Sequence, residues 1–229
     1  MTMPRNVPAN AQSAVDWLKR NGSKSGREGM QRYNIPSDRA FGVPMRQVQQ
    51  LAKQLGRDHQ LAAALWATGW YEARLLAAYV DEPASVTVAQ MDRWCRDFDN
   101  WAVTDTVCFA LFDRTSHAWG RVDDWAAKRA EYVKRAAFAL LWGLTVHDKT
   151  SGDAPFLRGL VLIEGAATDE RHFVKKAVDM ALRAVGKRNV ALNSAATTVA
   201  RRLANSSDGT AQSIGKHALR ELSTKRPRR

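Results

Sequence analysis

The apolar residues of this chain recur three and four positions apart along nearly its whole length, which is the spacing of one face of an α-helix. Runs that alternate apolar and polar residues around an Asn-Gly or Asp-Gly turn, as β-hairpins require, are missing. Clusters of turn-forming residues interrupt the helical pattern at positions 21–23, 42–44, 81–83, 148–155, 186–189 and 206–209. The pattern therefore predicts an all-α protein of about a dozen helices without strands.

A weak internal repeat places a basic residue near the head of several Ala/Leu-rich helices. These residues are Arg74, Arg135, Lys176 and Lys216. The interval from Arg74 to Arg135 is about twice the length of a short helical-hairpin repeat, and one more unit fitted midway puts Asp105 at the corresponding position. Because stacked helical pairs build a curved solenoid with equivalent positions on its concave surface, we expect four cations and one carboxylate on that surface.

The chain has neither a linker nor a shift in composition, so we predict one domain over residues 1–229, with frayed ends at about 1–9 and 224–229. The N-terminus lacks the apolar core of a signal peptide, and the longest nearly apolar run, 136–146, is far shorter than the roughly 20 residues that span a bilayer. The two cysteines form no CxxC pair, and the five histidines fall at no zinc-ligand spacing. We expect a cytoplasmic, nucleoid-associated protein without a membrane or metal partner.

The chain carries 35 Lys and Arg against 23 Asp and Glu, a formal net charge of +12. Such an excess favours a polyanionic partner, of which nucleic acid is the leading candidate, although many small proteins are basic for no specific reason. Cations at repeat-equivalent positions suit a groove that follows phosphates, since each can neutralise one phosphate and release a counterion. The alternative is that they are ordinary solvated or salt-bridged helix residues.

Asp105 stands out because a carboxylate in a phosphate-binding groove weakens binding, which favours a role in chemistry over one in affinity. Trp101 precedes it by four residues and therefore lies on the same helical face. In the alternative interpretation Trp101 is a core residue and Asp105 its solvated neighbour.

Five stretches carry a family resemblance: MQRY (30–33), LWATGWYEARLLAA (65–78), MDRWCRDFDNWAVTD (91–105), FVKKAVDMALRAVGKRN (173–189) and ALREL (218–222). They resemble the DNA alkylation repair family, the AlkD-like DNA glycosylases, and the similarity extends from about residue 28 to 222. This resemblance implies a HEAT-like solenoid that removes positively charged, N3- or N7-alkylated purines from DNA without a metal or organic cofactor. None of the lysines is singled out as a buried amine nucleophile, so we expect a monofunctional enzyme without lyase activity. We also expect it to act as a monomer on double-stranded DNA containing alkylated bases.

The resemblance also implies roles for individual residues. Asp105 looks like the catalytic carboxylate of the family, and Trp101 looks like an aromatic residue that packs against the lesion nucleotide. Arg135 resembles a basic residue that holds DNA near the lesion, and Tyr33 and Arg183 match further positions that contact DNA.

Each of the binding residues also has a structural alternative. Tyr33 could cap a small core, and Arg135 or Arg183 could pair with a neighbouring acid such as Asp179.

One position departs from the family pattern, because Met180 stands where the family often has a second tryptophan. Lys176, Met180, Arg183 and Lys187 share one helical face, so Met180 is still expected to point towards the groove. Methionine can pack against a sugar or a base, but it lacks a flat π face for a cationic ring. Two functions therefore remain: a DNA glycosylase, or a HEAT-like module that binds DNA or protein without catalysis.

Overall fold

A computed structural model describes residues 10–224, and these residues form 13 α-helices with no β-strand among them. The prediction of an all-helical protein of about a dozen helices is therefore confirmed. Within the same residues, no helix has both the length and the apolar character needed to cross a membrane.

The chain divides into two compact units. Unit 1 is the chain up to Trp94 together with Phe98–Leu111, and unit 2 is Cys95–Asp97 together with the chain from Phe112 onward. The single curved domain with a basic concave face stays a prediction. The predicted frayed ends lie outside the described residues, apart from Thr224, which is the last residue of the final helix.

Unit 1 is organised around one central helix. Its helices are α1 (Ala11–Asn21), α2 (Lys24–Gln31), α3 (Met45–Leu55), α4 (His59–Ala67), α5 (Tyr71–Val80), most of α6 (Val88–Arg96) and α7 (Trp101–Ala110). The central helix, α5, packs against α1, α3, α4 and α7 and buries Leu75 and Leu76 completely. Trp66 stacks on Trp94 with 4.0 Å between the ring centroids, which extends this core under α6.

A buried carboxylate fixes the loop that precedes α3. Glu72, which is 0% exposed, accepts hydrogen bonds from the backbone N–H groups of Phe41 (3.0 Å), Gly42 (2.6 Å) and Val43 (3.1 Å). Gly42 has φ +78°, and a Cβ atom there would lie 2.4 Å from the carbonyl oxygen of Ser23. The loop is therefore held against α5 on one side and against the start of α2 on the other.

Unit 2 contains helices that, apart from the first, are longer than those of unit 1. They are α8 (Ala118–Ala126), α9 (Glu131–His147), α10 (Ala154–Ala166), α11 (His172–Gly186), α12 (Val190–Ala204) and α13 (Gly209–Thr224). Helix α9 packs against α8, α10 and α11, and α11 in turn packs against α12 and α13. The apolar run 136–146 lies in α9, where Phe138 and Leu140 are 0% exposed, so it forms the core of this unit.

Candidate nucleic-acid site

Helix α7 carries the two residues that the sequence singles out for chemistry. The side-chain oxygen of Asn100 caps the helix by accepting a 2.9 Å hydrogen bond from the backbone N–H of Val103. Val103 and Val107 turn into the core, whereas Trp101 and Asp105, one turn apart, are both half-buried. The helix therefore offers an indole and a carboxylate side by side on a face that a ligand can reach.

The ring of Trp101 is fixed by a residue far away in the sequence. Its Nε1–H donates a 2.8 Å hydrogen bond to the backbone carbonyl of Tyr33, 68 residues earlier. Tyr33 lies in the turn after α2, where Asn34 adopts a left-handed φ of 53°. The Tyr33 side chain is 66% exposed, so it does not cap a core. The fold thus brings together two residues that the sequence predicts to contact DNA.

Arg74 also belongs to this part of unit 1, because α5 packs against α7. Its guanidinium lies 5.2 Å from the centroid of the Trp66 ring, and its Nη1 lies 3.9 Å from the Asp99 carboxylate. Arg74, Asp99 and Tyr71 help to line a cavity of about 330 Å³ that reaches the first turn of α7. Burial and the nearby carboxylates of Glu72 and Asp99 raise the pKa of Tyr71, so its phenol stays neutral.

In unit 2, Arg135 is almost completely buried. It is 3% exposed, and its Nη1 donates a 2.7 Å hydrogen bond to the carbonyl oxygen of Phe173 at the start of α11. This contact ties α9 to α11 in the way that a structural arginine does. A role for Arg135 in holding DNA stays a prediction.

One face of α11, continued by its C-cap residue Lys187, carries four of the residues that the sequence assigns to DNA binding. They are Lys176, Met180, Arg183 and Lys187, and each is at least partly exposed. Lys176 is the most open of them. The structure therefore places Met180 among cations on an accessible surface, as the helical spacing predicts.

The two C-terminal cations of that face are already paired with acids. Arg183 binds Asp179 at 2.9 Å and also Glu221, which bonds Lys187 as well. The hydrogen bond from Lys187 and the pairing with Arg183 lower the pKa of Glu221 to about 2. Burial would lower the pKa of Arg183, but the carboxylates of Asp179 and Glu221 outweigh it and raise that pKa. The sequence leaves open the alternative that Arg183 pairs with Asp179, and the structure contains this ion pair. A phosphate would have to compete with it.

The predicted repeat, with its four cations and one carboxylate, falls on alternate helices in chain order. Its members are Arg74 in α5, Asp105 in α7, Arg135 in α9, Lys176 in α11 and Lys216 in α13. The first four occupy the fourth or fifth position of their helices, whereas Lys216 is the eighth residue of α13. Lys216 is exposed, and its Nζ donates a 2.8 Å hydrogen bond to Gln212. Within unit 1 α5 packs on α7, and within unit 2 α11 packs on both α9 and α13.

Sequence reasoning missed three residues that shape this region. Asn100 could have been found, because an asparagine three residues before a helical amide is a standard cap signal. Glu72 and Glu221 carry no local signal, since their partners lie about 30 and 34 residues away in the chain. Within residues 10–224, no group of three or more His, Cys, Asp or Glu side chains is placed to hold a metal ion.

Comparison with known proteins defines the fold and the family. One similar solved structure comes from a new family of proteins related to the HEAT-like repeat DNA glycosylases, with affinity for branched DNA structures. It is 20% identical, has a TM-score of 0.76, and aligns over 96% of this chain and 99% of its own. This likeness confirms the predicted HEAT-like fold. No curated protein matches the chain. The model of the family described as DNA alkylation repair enzyme matches residues 15–227, so the chain belongs to the DNA alkylation repair enzyme family.

Proposed function

We propose that this protein is a monofunctional DNA N-glycosylase that removes positively charged, N3- or N7-alkylated purines from duplex DNA. The observation that carries the proposal is the pair of Trp101 and Asp105 on the accessible face of α7, with the indole held by the carbonyl of Tyr33. Membership of the DNA alkylation repair enzyme family supports it.

The substrate makes the reaction tractable for a single carboxylate. Alkylation at N3 or N7 gives the purine a positive charge, so it leaves as a neutral base when it takes the electrons of the bond to C1′. No strong general acid is needed. The enzyme has to stabilise the positive charge that develops on the deoxyribose and to supply water to C1′.

Asp105 can do both. Its carboxylate would lie beside the oxocarbenium-like sugar, as carboxylates do in glycoside hydrolysis. Water would then form the new bond to C1′ and pass its proton to the carboxylate. The half-buried position of Asp105 favours this role, because an electrostatic interaction is stronger where bulk water is partly excluded.

Trp101 supplies a flat π surface for the cationic base. A ring face attracts a cation within about 6 Å of its centroid, and the attraction grows when the pair is shielded from water. Because the indole N–H is committed to Tyr33, the orientation of the ring is set before substrate arrives. Tyr33, with its exposed side chain, would contact DNA beside this ring.

The remaining assignments concern the DNA backbone. Lys176 and Lys216 are exposed cations suited to phosphate contacts. Arg183 and Lys187 would contribute by exchanging Glu221 for a phosphate. The net charge of +12 favours binding to a polyanion and opposes self-association. We therefore propose that the protein acts as a monomer on the DNA of the nucleoid.

The test is Asp105→Asn, which keeps the size of the side chain and removes its charge. Single-turnover release of N7-methylguanine or N3-methyladenine from methylated duplex should fall by about two to four orders of magnitude. Duplex affinity, measured on the same preparation, should stay the same or rise slightly, because a negative charge near phosphates has gone.

The matched control is Asp16→Asn, which makes the same change at an exposed carboxylate of α1 and should alter neither quantity. A loss of binding and excision together would point to a damaged helix. Excision at the wild-type rate in Asp105→Asn would refute the catalytic assignment.

A second candidate function is the binding of branched DNA without catalysis. Met180 favours it, because this residue stands where the family often has a second tryptophan and offers no flat π face at that position. The similar solved structure, with its affinity for branched DNA structures, also favours it. Two results together would support this candidate over the glycosylase. The protein would bind a four-way junction more tightly than an equally long duplex, and it would release no base from methylated DNA.

A further inference from the structure

Unit 1 has a second cavity, of about 350 Å³, whose lining residues include none from α7, the helix of Trp101 and Asp105. We call it the Trp70 cavity. The residues that line it are Lys19, Gly22, Ser23, Lys24, Arg27, Asp38, Ala40, Phe41 and Trp70. They come from the end of α1, the start of α2, the loop before α3 and the residue that precedes α5. Two kinds of side chain dominate its chemistry: exposed cations, which we call the rim, and the half-buried rings of Phe41 and Trp70, which we call the floor.

The rim cations are exposed and weakly committed. Within residues 10–224, neither Lys19 nor Arg27 forms an ion pair. Lys24 meets Glu28 at 3.7 Å, but the two side chains are 83% and 62% exposed, and such pairs contribute little. Asp38 is the acid among the lining residues, so three cations face one carboxylate. The cavity therefore has a net positive charge.

The aromatic floor is preorganised. The rings of Phe41 and Trp70 stack with 4.4 Å between their centroids and 27° between their planes. The backbone of Phe41 is fixed by its hydrogen bonds to buried Glu72, and the guanidinium of Arg39 lies 5.7 Å from the centroid of Trp70. Phe41 covers one face of the Trp70 ring, and the half-buried pair presents its remaining surface to the cavity.

Cations around a stacking surface are how proteins hold single-stranded nucleic acid. The cations follow the phosphates, and an aromatic face stacks on a base whatever its identity. In a duplex, both faces of each base are covered by its neighbours, so an aromatic floor would have nothing to stack on. We propose that the Trp70 cavity binds single-stranded DNA, with an unpaired base on Trp70 and the flanking phosphates on Lys19, Lys24 and Arg27.

This site goes beyond the proposed function, because it shares no residue with the pair Trp101 and Asp105 and needs no alkylated base. It would let the protein hold an unpaired strand independently of base removal. Activity on methylated duplex and binding of single strands should therefore be separable by mutation.

The first test removes the rim charge with the triple variant Lys19→Gln, Lys24→Gln and Arg27→Gln. Binding of a fluorescent 15-nucleotide oligothymidylate is followed by anisotropy over a series of salt concentrations. Each lost phosphate contact should flatten the plot of log affinity against log salt by about 0.7, so the slope should fall by about two units. At low salt the affinity should fall by at least about tenfold.

The matched control is a triple variant with the same net charge, built on exposed cations of α3 and α6. Its changes are Arg46→Gln, Lys53→Gln and Arg93→Gln. Single-strand affinity should stay within about twofold of the parent chain. An equal loss in both triple variants would mean that overall charge, and not the cavity, attracts the strand, and the proposal would fail.

The second test changes the floor. Trp70→Leu keeps an apolar side chain but removes the π face, and it should weaken single-strand binding about tenfold, whereas Trp70→Phe should keep most of it. Circular dichroism and affinity for a blunt duplex, both expected to be unchanged, show that unit 1 is intact. Parental single-strand affinity in folded Trp70→Leu overturns the stacking assignment.

Two further outcomes separate other ligands from a DNA strand. If the rim variant loses duplex and single-strand affinity equally, the cavity contacts duplex phosphates and the proposal is wrong. If thymidine monophosphate binds as tightly as the 15-mer, the cavity is a nucleotide pocket and not a strand site. The proposal requires affinity that increases with oligonucleotide length.

Discussion

Glu72→Gln is the sharpest perturbation that the structure suggests, because one buried carboxylate holds three consecutive backbone amides. Its Oε1 accepts from Phe41, Gly42 and Val43, and its Oε2 accepts a second time from Phe41. Glutamine fits the same space. It removes the negative charge from all four hydrogen bonds and turns an NH₂ group towards the N–H of Phe41.

The expected loss follows from the strength of the bonds. A hydrogen bond to a charged group contributes about 1.5–3 kcal/mol, and a neutral one about 0.5–1.5 kcal/mol. Losing roughly 1 kcal/mol at each of three amides gives a destabilisation of about 3 kcal/mol. In a protein of this size, 1 kcal/mol shifts the melting temperature by roughly 2–4 °C, so Glu72→Gln should lower it by about 6–12 °C.

Two measurements test this. Thermal unfolding followed by circular dichroism gives the shift, and hydrogen exchange locates it, because the amides of Phe41, Gly42 and Val43 should exchange faster than in the parent chain. The control is Glu28→Gln, at a carboxylate that is 62% exposed and should shift the melting temperature by no more than about 2 °C. A shift of that small size in Glu72→Gln, with unchanged exchange at 41–43, would refute the reasoning.

Three further predictions concern unit 2. Lys176→Ala should flatten the salt dependence of duplex binding by about one unit of slope, because an exposed phosphate contact is lost. Arg135→Ala should instead lower thermal stability, since it leaves the carbonyl of Phe173 without its 2.7 Å donor. Glu221→Gln should be less stable than the parent chain at neutral pH. Because the pKa of Glu221 is depressed to about 2, this difference in melting temperature should persist above pH 4.5 and vanish as the pH falls towards 2.

Two of these predictions have a matched control. Lys175→Ala changes the adjacent position of α11, which points in another direction, and should leave the salt slope unaltered. Glu164→Gln removes a different carboxylate of unit 2, which pairs with Arg202. In this variant the contribution of Glu221 to the pH dependence of the melting temperature should remain. If Arg135→Ala melts like the parent chain but binds duplex more weakly, Arg135 contacts DNA and does not have the structural role that we assign to it.

The features that the sequence predicts well are local ones. Helical periodicity depends on residues three and four apart, which is why the all-helical fold and the turns between helices could be predicted. The shared face of Trp101 and Asp105 and the pairing of Arg183 with Asp179 follow from the same four-residue spacing. Each of these needs no knowledge of tertiary structure.

Burial and long-range partners could not be predicted in this way. Arg135 has the sequence setting of a surface cation, yet packing of α9 against α11 leaves it 3% exposed. The bond from Trp101 to Tyr33 spans 68 residues, and the Phe41 and Trp70 stack joins two loops. Such contacts depend on how helices pack, and no periodicity within one helix encodes them.

The hydrogen bond that orients Trp101 ends on a main-chain atom, and this has an evolutionary consequence. Every amino acid supplies the same carbonyl, so the residue at position 33 is free to diverge without loosening the indole. The constraint instead falls on Asn34, whose φ of 53° aims that carbonyl and which proline cannot replace, because its ring locks φ near −65°. Relatives of this protein can therefore change the side chain at position 33, for which we propose a contact with DNA, while they retain an identically placed tryptophan.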